Sequence, residues 1–131
     1  MPELRKDMLT GRWVIISTER SRRPDDFRPP SPSEIRRENP AFCPFCPGNE
    51  AKTPPEVYSI RDDGSEPDQP GWKARVVPNK FPALKPGPLP PRKNRGSYQW
   101  MEGVGVHEVV IENPDHDLEI ADLPLDHLAD I

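Results

Sequence analysis

Two cysteines, Cys43 and Cys46, are the only thiols in the sequence, and two residues separate them. Thiols at this spacing reach one tetrahedral cation because a short turn brings both sulfurs to the same side, and Zn²⁺ prefers thiolate and imidazole ligands. Pro44 and Pro47 stiffen that turn. The pattern therefore favours a metal site. A redox dithiol and two unrelated thiols are the alternatives, and the redox reading is weakened because no βαβ pattern surrounds the pair.

The remaining ligands of such a site must be histidines, of which the chain has three. His107 lies in a predicted strand among apolar residues, where a packed or hydrogen-bonded role is expected. His127 is predicted to face solvent on a short amphipathic helix and to be inert. His116 lies in Asn113-Pro-Asp-His-Asp117, a turn that can direct a ring nitrogen at a metal. We therefore expect Cys43, Cys46 and His116 as ligands, with the fourth ligand outside this chain or a water molecule.

Two further groups of residues have the chemistry to bind a nucleotide. Arg20 and Arg23 follow the first predicted strand, and a guanidinium can bind a phosphate through two hydrogen bonds. A solvated charged loop is the alternative reading. Asn79, Lys80 and Phe81 supply an amide, an ammonium and an aromatic ring, which suit either a nucleoside contact or a turn over the core.

The composition limits what can position these residues. The chain has 131 residues, of which 33% are hydrophobic, with 20 prolines and 8 glycines. These values predict one loop-rich, proline-rich domain with a thin core. Every Lys and Arg precedes position 96, while acids are spread through the whole chain to a net charge of -4, so a small anionic ligand is favoured over nucleic acid.

The same features bear on compartment. The sequence has no apolar run of about 18 residues and no basic-then-apolar leader, which predicts no membrane span and no secretion. Two cysteines cannot form a disulfide framework, so we expect a cytoplasmic protein.

Regular elements are predicted where β-branched and aromatic residues cluster. Strands are expected at 12–17, 56–60, 73–77 and 105–112, and an exposed flexible loop at 85–95. A proline followed by apolar residues at helical spacing predicts a helix over 123–131. That pattern stops abruptly, so we expect the chain to be the front part of a longer protein.

Taken together, these segments resemble the N-terminal half of the galactose-1-phosphate uridylyltransferase family, a branch of the histidine-triad superfamily. The resemblance covers almost the whole chain, in the family's order. Its segments are Leu4–Ser17, Arg20–Pro24, Cys43–Pro47, Arg75–Leu84 and Gly105–His116.

The resemblance implies an α/β fold, more narrowly α+β, with a histidine-triad-like antiparallel sheet and flanking helices, incomplete in this chain. Residues 1–131 would form the N-terminal nucleotide- and zinc-binding half. It implies that Cys43, Cys46, His116 and a later histidine bind structural zinc. It also implies that Asn79 and Phe81 contact the nucleoside, that Arg20 and Arg23 approach phosphate near a subunit interface, and that the full-length protein is a homodimer. Lys80 occupies a position that is often aspartate in relatives.

The activity implied by the resemblance is uridylyl transfer between UDP-glucose and galactose 1-phosphate through a uridylyl-histidine intermediate, a step of galactose metabolism. The nucleophile belongs to a His-Pro-His motif that this chain lacks, so the chain alone is expected to be inactive. An ADP-sugar phosphorylase or adenylyltransferase of the same family is the alternative. A noncatalytic zinc-dependent binding module is the alternative from another class.

Overall fold

The computed structural model describes residues 2–17, 39–62 and 64–131. The described chain divides into two compact units, one formed by residues 2–17 and 81–107 and the other by residues 39–80 and 108–131. The strands in chain order are β1 (Glu3–Lys6), β2 (Trp13–Ile16), β3 (Tyr58–Arg61), β4 (Trp72–Pro78), β5 (Lys93–Arg95), β6 (Tyr98–Glu102) and β7 (Glu108–Ile111). Two 3₁₀ turns, Glu50–Lys52 and Ile120–Asp122, and one α-helix, α1 (Leu125–Asp130), complete the described elements.

The first unit contains a four-stranded antiparallel sheet in the order β2-β1-β6-β5. The β1–β2 turn is closed by Asp7, whose carboxylate accepts hydrogen bonds from the Leu9 amide at 2.9 Å and the Thr10 hydroxyl at 2.6 Å. Gly11 ends this turn at φ +71°, a conformation that glycine adopts without strain. Across the sheet, the Lys93 ammonium lies 4.7 Å from the centre of the Trp100 ring. The sheet is thus set by a local turn and by side-chain pairs between strands.

The second unit contains a three-stranded antiparallel sheet in the order β3-β4-β7. Its core is a cluster of Trp72, Val77 and Ile111, against which Val109 packs. Val77 faces Val109 in the register of β4 and β7. The register between β3 and β4 shifts between Ile60, which pairs with Ala74, and Arg61, which pairs with Trp72. Trp72 and Val77 are five residues apart and would face opposite sides of a regular strand, and a bulge of this kind allows them to share a face.

A network of buried ions stiffens this unit. Arg75 is 1% exposed, and its guanidinium donates to Glu56 at 2.7 Å, Thr53 at 2.8 Å and Asp68 at 2.5 Å. Arg61 donates to both oxygens of Glu56 at 2.9 Å. Each of the three guanidinium nitrogens of Arg75 therefore donates to an acceptor, and two of the acceptors are carboxylates, which offsets the cost of burying the charge.

The predicted α+β class with antiparallel pairing is confirmed. The predicted strands near 12–17, 56–60, 73–77 and 105–112 appear as β2, β3, β4 and β7, and the predicted terminal helix as α1. They do not share a single sheet, however, because β2 pairs with β1, which composition did not indicate.

The segment 85–95 differs from the expected loop at its end. Its last three residues form β5, an exposed strand paired with β6, and Lys85 bridges Val104. Among the described residues, no helix has the length and apolarity that crossing a membrane requires.

Candidate metal centre

The two cysteines lie in a run of tight turns between Asn39 and Glu50. Backbone bonds close successive turns, including one from the Cys43 amide to the Pro40 carbonyl at 3.2 Å and one from the Cys46 amide to the Cys43 carbonyl at 3.4 Å. Prolines at positions 44 and 47 restrict the backbone of this segment. Both thiols are buried and unoxidised. The local sequence therefore folds into a turn that holds two sulfurs close together, as their spacing predicts.

Asn49 holds this cysteine turn from its other end. Its side-chain amide donates to the Cys43 carbonyl at 2.7 Å and to the Pro40 carbonyl at 3.1 Å. Its backbone amide donates to the Cys46 carbonyl at 3.1 Å. One asparagine thus fixes the backbone of both cysteines.

His116 is presented by a loop that begins where β7 ends. The Asp115 amide donates to the Asn113 side chain at 2.8 Å, and the Asp117 amide donates to the Asp115 side chain at 3.0 Å, so two consecutive Asx turns shape the loop. The His116 ring is half-buried. The strand end and the turns together direct the ring toward the thiols.

The ligand atoms of Cys43, Cys46 and His116 all lie within 4.8 Å of one another. The Cys46 sulfur is 3.1 Å from Nδ1 of His116, although 70 residues separate them in the chain. Ligands on a tetrahedral zinc ion stand about 3.3–3.8 Å apart, given bond lengths of about 2.0–2.3 Å. The cluster is therefore close to the size that zinc requires, and two thiols with an imidazole form a donor set that zinc prefers.

The pKa of the cysteine thiols bears on whether they could instead form a redox dithiol. Burial raises the pKa of the Cys46 thiol, and the neighbouring Cys43 and the charges of Asp115 and Asp117 raise that pKa further. Redox-active cysteines have a lowered pKa because the thiolate is the nucleophile. The raised pKa of Cys46 favours its neutral thiol, which disfavours the redox reading and means that metal binding at Cys46 must displace a proton.

The residues expected to contact a nucleotide are placed as follows. Asn79 is half-buried directly after β4, and Phe81 is 72% exposed. Lys80 between them is exposed. Arg20 and Arg23 lie outside the described residues.

The other two histidines are held by hydrogen bonds. Nδ1 of His107 accepts a bond from the Ala83 amide at 2.8 Å, in agreement with its expected packed role. The expected solvent exposure of His127 was wrong: its ring is half-buried, and Nε2 lies 2.6 Å from the Glu112 carbonyl oxygen. This bond fastens α1 to the end of β7, on which the His116 loop begins.

Sequence reasoning missed Glu50, which is 6% exposed. One carboxylate oxygen accepts a hydrogen bond from the Gly48 amide at 2.9 Å, and the other accepts one from the Trp72 indole at 3.0 Å. An acid beside a glycine and an asparagine has the ordinary pattern of an exposed turn, so only its position four residues after Cys46 could have drawn attention to it.

Comparison with known proteins places these features in context. A family model described as galactose-1-phosphate uridyl transferase, N-terminal domain, matches residues 1–131. A curated relative, ADP-glucose phosphorylase of Arabidopsis thaliana, is 39% identical over 99% of this chain and 36% of its own length. Galactose-1-phosphate uridylyltransferase of Thermotoga maritima is 32% identical over 95% of this chain and 31% of its own length. The chain therefore spans about a third of the length of these relatives.

The fold has a solved counterpart. The crystal structure of a galt-like protein of Arabidopsis thaliana superposes with a TM-score of 0.51 at 34% identity, and the match covers 67% of this chain and 25% of that protein.

Proposed function

The chain belongs to the galactose-1-phosphate uridyl transferase family, whose N-terminal domain it matches, and on that basis we propose that it forms the N-terminal part of a nucleotidyltransferase acting on nucleotide sugars and sugar phosphates. The observation that carries the proposal is the convergence of Cys43, Cys46 and His116. The resemblance assigns these three residues to zinc, and their ligand atoms come together from segments far apart in the chain.

In this proposal the three residues hold a structural zinc ion, and a histidine beyond this chain supplies the fourth ligand. The ion neutralises two thiolates and fastens the cysteine turn to the loop after β7. It supplies rigidity and takes no part in the reaction.

The proposed reaction proceeds in two displacements. A neutral histidine outside this chain attacks the α-phosphorus of the nucleotide sugar, and the bond from that phosphorus to the bridging oxygen breaks, so that the sugar 1-phosphate leaves. A phosphate oxygen of the acceptor then attacks the same phosphorus and displaces the histidine. The three histidines of this chain support this division, because each ring contacts another group: Ala83, Cys46 or Glu112.

The proposed nucleoside contacts, Asn79 and Phe81, follow the end of β4 in the chain. Asn79 would hydrogen-bond the nucleoside, and the exposed ring of Phe81 would pack against it. Arg20 and Arg23 would bind phosphate oxygens, which a guanidinium engages through two parallel hydrogen bonds. We also propose that the complete protein is a homodimer in the cytoplasm, and light scattering of the purified protein would test the dimer.

Two nucleotide sugars are candidates for the complete protein. UDP-glucose with galactose 1-phosphate is the pair that the family resemblance first suggests. ADP-glucose with inorganic phosphate is the second candidate, and one observation favours it: the relative named ADP-glucose phosphorylase is 39% identical, against 32% for the uridylyltransferase.

The test compares kcat/KM of the complete protein for the two substrate pairs. Nucleotidyl transfer with either pair supports the proposal, and the pair with the larger kcat/KM identifies the branch. A protein that binds zinc but turns over neither pair would instead be the noncatalytic binding module.

A further inference from the structure

Glu50 lies between the cysteine turn and the core, and its environment is unusual for a carboxylate. It is 6% exposed, and none of the ion pairs among the described residues involves it. Its two oxygens are instead held by two N–H donors, the Gly48 amide at 2.9 Å and the Trp72 indole at 3.0 Å. A buried carboxylate with no cationic partner among the described residues depends on such bonds being well made.

The Gly48 bond acts on the cysteine turn. Gly48 is two residues after Cys46 and has φ +89°, a left-handed conformation that reverses the chain just after the second thiol. The bond from its amide fixes the direction in which the chain leaves Cys46. Asn49, the next residue, binds the carbonyl oxygens of both cysteines.

The Trp72 bond connects that turn to β4, which pairs with β7, the strand before the loop of His116. Trp72 is 3% exposed and clusters with Val77 and Ile111. Ile111 is the last residue of β7, and the loop with His116 follows it. The carboxylate of Glu50 therefore joins the segment of two thiols to the core cluster from which the imidazole loop starts.

We propose that Glu50 is a positioning residue for the metal centre, which sets the distance between the thiols and His116 through its bonds to Gly48 and Trp72. This inference rests on the proposed zinc site. Residues behind metal ligands fix the ligand geometry, and their replacement typically lowers metal affinity about 10–100-fold. Among the described residues, the hydrogen bonds of the Glu50 carboxylate go to the Gly48 amide and the Trp72 indole and to none of the three ligand side chains, so its proposed effect on the site passes through those two groups.

The test measures metal affinity in the complete protein by competition with a chromophoric chelator, and records the thiolate-to-cobalt absorption band of the Co²⁺ form. The band arises from cobalt bound to thiolate, and its loss in Cys43→Ser would show that it reports this site. Glu50→Ala removes both acceptors. We therefore expect the metal affinity to fall about 10–100-fold and the position or intensity of the thiolate-to-cobalt band to change. Glu50→Gln keeps one acceptor but directs an amide N–H₂ at the other N–H, and we expect a fall of about tenfold.

A second substitution tests whether the bond between Glu50 and Trp72 contributes to metal affinity. Trp72→Phe removes the indole N–H that faces the glutamine amide, so the carboxamide oxygen can stay on Gly48. The double variant Glu50→Gln with Trp72→Phe should therefore bind metal more tightly than Glu50→Gln alone, because the opposed N–H groups are gone, but less tightly than the wild type, because the bond to Trp72 is still missing. Val77→Ala is the matched control, because it opens a cavity in the same cluster and leaves both bonds intact. In the folded protein it should lower stability without a comparable loss of affinity.

The outcomes separate this inference from the proposed function. If the wild-type protein shows no cobalt–thiolate band, the metal site itself is wrong, and this inference fails with it. If the wild type binds metal and both Glu50 variants retain its affinity and band, the positioning role alone is wrong. Should Glu50→Ala fail to fold, Glu50→Gln and the double variant Glu50→Gln with Trp72→Phe still test whether Glu50 positions the metal ligands.

Discussion

The thiols and the imidazole of the metal cluster differ in what places them. Cys43 and Cys46 are brought together by turns within a dozen residues, and the bonds that close those turns are local. His116 lies 70 residues beyond Cys46 and comes next to it only in the folded unit, where its loop follows β7, which pairs with β4. The pair of thiols is therefore a property of a short segment, whereas the complete cluster is a property of the folded unit.

Replacement of one thiol tests the cluster directly. Cys43→Ser exchanges a soft thiolate for a hydroxyl that zinc binds poorly, so we expect metal content to fall well below one ion per chain. Elemental analysis of the purified protein after dialysis would measure it. His107→Gln is a matched control, since this histidine accepts a bond from Ala83 and belongs to the other unit. Full zinc occupancy in Cys43→Ser would contradict the assignment.

The sequence indicated the three candidate ligands because their residue types are uncommon and their chemistry is specific. Glu50 shows why their supports could not be found in the same way. Its role depends on burial and on Trp72, which lies 22 residues further along the chain in another element. Glutamates are common and mostly exposed, so without the pairing of β4 and β7 nothing distinguishes this one. His127 was misjudged for the same reason, because its partner is the carbonyl oxygen at the end of β7.

Among the elements, β3 and β4 are held together by the buried ion network as well as by backbone pairing. Glu56 lies just before β3 and is shared by Arg61 of β3 and Arg75 of β4. The side chains of Arg75 and Glu56 are 1% and 5% exposed. The three-stranded sheet therefore has a charged cluster and an apolar cluster, and both use residues of β4.

Loss of the shared carboxylate should destabilise this sheet. Glu56→Gln leaves two buried guanidinium groups short of one negative charge, and breaking a buried pair in this way costs about 3–5 kcal/mol. We expect the free energy of unfolding in urea to fall by about 3 kcal/mol. Asp62→Asn is the matched control, since its ion pair with Lys73 is largely exposed and a change below about 1 kcal/mol is expected. Equal effects of the two substitutions would contradict the role of the network.

The same carboxylate predicts a dependence of stability on pH. Burial raises the pKa of Glu56, but the hydrogen bonds from Arg75, Arg61 and Ser59 outweigh burial and hold the pKa below its ordinary value. Because the pKa in the folded state is lowered, this stabilisation is present above the ordinary carboxyl pKa of about 4.3 and is lost as the pH falls further. Urea unfolding at a series of acidic pH values should show a steeper loss for the wild type than for Glu56→Gln.

The elements themselves were predictable where their composition is distinctive. β4 and β7 contain runs of valine, isoleucine and aromatic residues, and the sequence placed both to within a few residues. β1 is Glu-Leu-Arg-Lys and β5 is Lys-Asn-Arg, which have no apolar alternation. Their extended backbone comes from hydrogen bonds to β2 and β6, so it depends on pairing that local sequence does not encode.

At the scale of the whole molecule, the two units hold different parts of the proposed machinery. The metal cluster and Asn79 belong to the unit of residues 39–80 and 108–131, while Phe81 belongs to the unit of residues 2–17 and 81–107. The chain spans about a third of the length of its curated relatives. The proposed nucleophile, the fourth metal ligand and the acceptor site would all come from the rest of the protein.

This division predicts that residues 1–131 alone bind metal without catalysing transfer. The three ligands of the cluster are all present, so we expect the fragment to bind zinc or cobalt, more weakly than the complete protein because one ligand is water. No turnover is expected with UDP-glucose and galactose 1-phosphate or with ADP-glucose and phosphate, because each histidine ring already contacts another group. Release of sugar 1-phosphate, measured by a coupled assay at matched concentrations of fragment and complete protein, checks this. Turnover by the fragment would place a nucleophile within residues 1–131 and overturn the division of roles, whereas turnover by the complete protein alone would support it.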